Sequence, residues 1–88
     1  MEKKLMGGRD NDRYGFGKRF RAMSDDQLVE AFNREVGKPG WVSARADYLA
    51  MMCREFLSRR LDSSSFIKGN RMSLAHRIIR VGPLLVPE

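Results

Sequence analysis

The sequence predicts an α+β domain: two amphipathic helices at about 25–36 and 44–61, then a C-terminal β-hairpin at about 72–86, all behind a flexible basic tail over residues 1–22. Three observations lead there. Leu49, Met52, Cys53 and Phe56 recur at three- and four-residue spacing, which places them on one stripe of a helix. Ser24 and Gln27 form the S-x-x-Q pattern of a capping box just before a second apolar stripe. The β-branched run Ile78-Ile79-Arg80-Val81 faces Leu84-Leu85-Val86 across Gly82-Pro83, two strand-like runs separated by a two-residue turn.

In chain order, residues 1–22 scatter Gly7, Gly8, Gly15 and Gly17 among charged side chains without the periodicity of a buried face, so the segment is expected to stay unfolded. Within it, Arg13, Tyr14, Phe16, Lys18, Arg19, Phe20 and Arg21 interleave cations with aromatics. That composition suits stacking on bases while neutralising phosphates. A solvated tail explains the same composition. Met23-Ser24-Asp25-Asp26 also reads as a start of translation placed directly before the first helix, in which case the tail carries no function.

Ser24 caps the first helix, with Met23 and Leu28 placed for a hydrophobic staple and Asp25 and Asp26 suited to the positive end of its dipole. Leu28, Val29, Phe32 and Val36 form its buried stripe, and Gly37 ends it. Lys38-Pro39-Gly40 then breaks the chain, and Trp41 is expected to fill a corner of the core between the two helices. Ser43 stands at the N-cap position of the central helix. Glu55 and Arg59 form a favourable pair one turn apart on that helix, and Arg59 and Arg60 complement its negative end. Asp62-Ser63-Ser64-Ser65 reads as a loop, Phe66-Ile67 as an apolar return to the core, and Lys68-Gly69-Asn70 as a turn.

Residues 71–88 admit two readings. In an all-α alternative, Asn70 caps a third helix that Gly82 and Pro83 terminate, with His76, Arg77 and Arg80 on its polar side. The hairpin is preferred because it buries Leu84-Leu85-Val86, which a helix ending at Val81 leaves orphaned.

Eighty-eight residues make a single domain, expected over residues 23–88, with a thin stability margin that self-association as a homodimer would widen. The net charge of +6 suggests nucleic acid, but residues 1–23 hold seven Lys/Arg against three Asp/Glu and so carry four of the six excess charges. One cysteine, on the apolar stripe, fits a reducing cytoplasm. No apolar run is long enough to span a bilayer, and MEKKLMGG lacks the hydrophobic centre of a signal peptide, so no membrane partner is expected.

No stretch carries a reaction signature. One histidine without a readable orienting partner, a cysteine placed for burial and no cluster at metal-ligand spacing leave no catalytic residue, metal or cofactor to assign. Gly15 and Gly17 neither follow a strand nor open a helix, as a phosphate-binding loop requires. The expectation is a small non-enzymatic cytoplasmic interaction protein. The alternative is a nucleic-acid binder that combines the arm at 13–21 with Lys68, Arg71, Arg77 and Arg80. A helix-turn-helix fits poorly, because the connection after the central helix is too long and carries its own apolar anchor.

Overall fold

A computed structural model describes residues 14–40 and 43–88. Helices α1 (Phe16–Arg21), α2 (Asp25–Glu35) and α3 (Ser43–Ser58) come first. Two antiparallel hairpins follow, β1 (Ile67–Lys68) with β2 (Arg71–Met72) and β3 (Ile78–Val81) with β4 (Leu84–Pro87). The expected α+β order, helices and then a C-terminal hairpin, is the observed one.

Helix α2 starts as the capping box requires: Ser24 Oγ accepts from the Gln27 amide at 3.1 Å and Gln27 Oε1 accepts from the Ser24 amide at 2.8 Å. Two otherwise orphaned amides are thereby satisfied. Its Leu28, Val29, Ala31 and Phe32 are buried, and Gly37, with φ of 81°, follows its C-terminus in the left-handed conformation that glycine adopts without a Cβ penalty. On α3, the stripe Leu49, Met52, Cys53 and Phe56 is buried as its spacing predicts. The helix stops at Ser58 rather than at 61. Ser58 Oγ donates to the Glu55 carbonyl at 2.7 Å, and the Arg59 amide turns to the Phe56 carbonyl, so a side chain occupies the acceptor that another helical turn would use. At the centre, Phe32, Phe56 and Phe66 pack as a triangle with ring centroids 4.7 to 5.9 Å apart.

Residues 14–22, expected within a flexible tail, belong to the folded body. Phe16 and Phe20 stand four apart on one face of α1, and each meets Tyr48 of α3 edge-on at 5.0 and 5.1 Å. Phe20 is 1% exposed. A six-residue helix is not stable alone, so these contacts hold it. Residues 1–13, Arg13 among them, Trp41, and the cap expected from the Ser43 side chain lie outside the described residues.

The expected hairpin at 72–86 resolves into two. Ile67 pairs with Met72 and Lys68 with Arg71 across Gly69-Asn70. Ile78 pairs with Pro87, Ile79 with Val86, Arg80 with Leu85 and Val81 with Leu84 across Gly82-Pro83. Residues 71–72 therefore turn back on Ile67 and Lys68, and the chain crosses 73–77 before the second hairpin starts. Ile78 and Leu85 are buried, and α2 packs against β3.

Candidate interaction surfaces

Strand alternation divides the β3–β4 side chains between two faces. Ile78 and Leu85 point into the core, and Arg80 on the same face reaches α2, where its Nε donates to Asp26 Oδ1 at 2.7 Å. That hydrogen bond and the charge of Arg80 hold the Asp26 carboxyl below its usual range. Arg80 Nη1 also donates to the Gly82 carbonyl at 3.0 Å, which ties the turn to its own strand. The other face carries Ile79, Val81, Leu84 and Val86. Ile79 and Leu84 are each 44% exposed and Val81 is 54% exposed. An aliphatic outer face on a two-stranded hairpin is unusual, because sheets with one side in water place polar residues there.

The hairpin's edges, by contrast, are occupied at Leu85 and at Ile78. In a two-residue hairpin the Arg80/Leu85 and Ile78/Pro87 pairs turn their backbone groups outward. On β4, the Leu85 amide donates to the Asp62 carbonyl at 3.0 Å, the Leu85 carbonyl accepts from Ser65 Oγ at 2.7 Å, and Pro87 has no amide to offer. On β3, Asn33 supplies both partners of Ile78: its Nδ2 donates to the Ile78 carbonyl at 2.9 Å and its Oδ1 accepts from the Ile78 amide at 2.8 Å. Strand addition is thus blocked along β4 and at Ile78 of β3, and the apolar face is an open surface of the hairpin.

Of the described residues singled out from the sequence as candidates for nucleic acid, Lys68 and Arg71 are brought together, while Arg77 and Arg80 each face an acid. Phe20 is in the core, so it is not available for stacking on a base. Phe16 packs on Tyr48, and Arg19 lies 5.8 Å from the Phe16 ring centroid in a cation–π contact. Tyr14, Lys18 and Arg21 are exposed. Arg77 pairs with Glu88 at 2.9 Å and Arg80 with Asp26, which neutralises both. Lys68 and Arg71 stand directly opposite each other on β1 and β2. They border a hollow of about 350 Å³ that Phe66, Met72, Ser65 and Ser73 also line. Beyond Arg71 and Met72 lies a second hollow of about 340 Å³, bounded by Ala46, Leu49, Ala50 and Cys53 of α3 and by Asn70.

Cys53 is buried, and desolvation raises its thiol pKa, which keeps it protonated and unreactive. Its Sγ contacts the Asn70 carbonyl at 3.7 Å. Among the described residues no three His, Cys, Asp or Glu side chains gather as a metal site, and no helix is long and apolar enough to cross a membrane. Set against protein families, curated proteins and solved structures, the chain matches none.

Proposed function

We propose that the protein is a non-enzymatic interaction module that associates with a second copy of itself through the outer face of the β3–β4 hairpin. The observation that carries this reading is the aliphatic surface of Ile79, Val81, Leu84 and Val86 on a hairpin whose edges are largely satisfied. Two such faces stack without bringing like charges together, since all four side chains are uncharged. The patch offers on the order of 250 Å² per copy, roughly a third of what a standard interface buries on each partner. Association costs absorb much of what that area yields, so the expected complex is weak and dynamic. A cytoplasmic location, as the single cysteine suggests, belongs to the same proposal.

Sedimentation velocity from micromolar to millimolar protein tests it. The wild-type chain should shift toward dimer with rising concentration, and Val81→Lys should remain monomeric with its far-UV spectrum unchanged. A wild type that stays monomeric throughout, or a variant that associates equally well, overturns the reading.

The net charge of +6 supports a second reading, nucleic-acid binding, with exposed Arg21, Lys68 and Arg71 meeting phosphates. With Phe20 buried and Phe16 packed against Tyr48, stacking contributes little to it.

A further inference from the structure

The β1–β2 hairpin is electrostatically anomalous. Lys68 and Arg71 are cross-strand partners, and like charges directly opposite on a sheet are destabilising. Four other arginines are set against acids: Arg45 on Glu35, Arg59 on Asp25 and Glu55, Arg77 on Glu88, Arg80 on Asp26. Among the described residues no carboxylate pairs with Lys68 or Arg71. Both are exposed, so folding does not require them for packing. A bound anion between them would convert the repulsion into two charge-assisted hydrogen bonds.

The surroundings specify the rest of the ligand. The hollow that the two cations border is also lined by Phe66 and Met72, which are apolar, and by Ser65 and Ser73, which carry hydroxyls. Ser65 Oγ is already committed to the Leu85 carbonyl, whereas Ser73 Oγ accepts from the Ala75 amide and retains its own proton to donate. Arg71 and Met72 are common to this hollow and to the one against α3, whose remaining wall is largely apolar. Methionine, unbranched and flexible, is suited to a partition that yields to a ligand.

We infer that the β1–β2 hairpin binds a small amphiphilic anion, with a carboxylate or phosphate ester held between Lys68 and Arg71 and a short apolar tail lodged past Met72 against α3. This site is separate from the β3–β4 face, and its test does not depend on association.

Amide chemical-shift titration of the full ¹⁵N-labelled chain decides it, using hexyl phosphate, hexanoate, inorganic phosphate and hexanol as probes. Hexyl phosphate or hexanoate should give saturable shifts confined to residues 65–73 and to Ala46, Leu49, Ala50 and Cys53. Which of the two binds more tightly identifies the headgroup. Inorganic phosphate and hexanol should each bind at least tenfold more weakly. The Lys68→Gln/Arg71→Gln variant, whose amide dispersion should match the wild type, should lose at least tenfold in affinity. Ala50→Phe should weaken hexyl phosphate while leaving inorganic phosphate unchanged. Shifts that are uniform and unsaturable, or affinity retained in the double variant, overturn the inference. So does a single-stranded oligonucleotide that saturates the same amides while the six-carbon probes do not, which would assign the cations to nucleic acid.

Discussion

Arg59 is the residue on which most of the helical half converges. Its Nε donates to Glu55 Oε2 at 2.8 Å, the pair that one-turn spacing predicts, and its Nη1 donates to Asp25 Oδ1 at 2.9 Å. Its Nη2 donates to the carbonyls of Phe20 and Met23, each at 2.8 Å. One planar fork thus joins the end of α1, the start of α2 and the end of α3, a geometry that a lysine ammonium does not reproduce. Burial alone would lower the Arg59 pKa, but its hydrogen bonds to Glu55 and Asp25 and their negative charges outweigh it and raise the pKa, so the cation is held firmly. Replacing Arg59 with Ala should cost about 2–4 kcal/mol, since the carboxylate of Glu55 and two carbonyls lose their partner together. Arg59→Lys should recover less than half of the loss. Urea unfolding of both variants measures the difference.

At the scale of elements, the two hairpins owe their registers to their loops. Gly82 has φ of 61° and Pro83 follows it, a two-residue connection in which glycine supplies the left-handed position and proline a fixed φ. A Cβ at Gly82 would meet no atom within 4 Å, so the cost of Gly82→Ala is one of backbone conformation alone. It should be about 1–2 kcal/mol, read as a lower urea midpoint with an unchanged denaturant slope. The sheet edge at Ile78 shows how helices and strands are joined: the Asn33 amide on α2 stands in for a neighbouring strand.

For the whole molecule, the boundary of the folded body is the main departure from expectation. A domain starting at Met23 would lose Phe16 and Phe20, uncover one face of Tyr48 and take the Phe20 carbonyl from the Arg59 guanidinium. Phe20→Ala should therefore cost about 3–5 kcal/mol, as truncation of a buried aromatic does, where a flexible tail would give almost nothing. Thermal unfolding of that variant beside Tyr14→Ala, at an exposed position, separates the two outcomes. The signal for α1 was present in the Phe16 and Phe20 spacing, but four glycines and a run of charges obscured it. A helix of six residues has too few positions to show a period.

Local interactions are what the sequence by itself determined. The Ser24/Gln27 capping box, the stripe from Leu49 to Phe56, the end of α2 at Gly37 and the turn at Gly82-Pro83 all arise between residues a few positions apart. They are legible because their physics is contained within one or two turns of chain. Tertiary structure alone decided the rest. Whether 78–87 forms strands depended on Ile78 and Leu85 finding the core and on Asn33, 45 positions upstream of Ile78, satisfying its backbone. Which cations are neutralised was decided the same way: Arg80 and Asp26 are 54 positions apart, while Lys68 and Arg71 face each other with neither acid nor core to answer them. Pairings of that reach depend on how the elements pack, which no local pattern encodes.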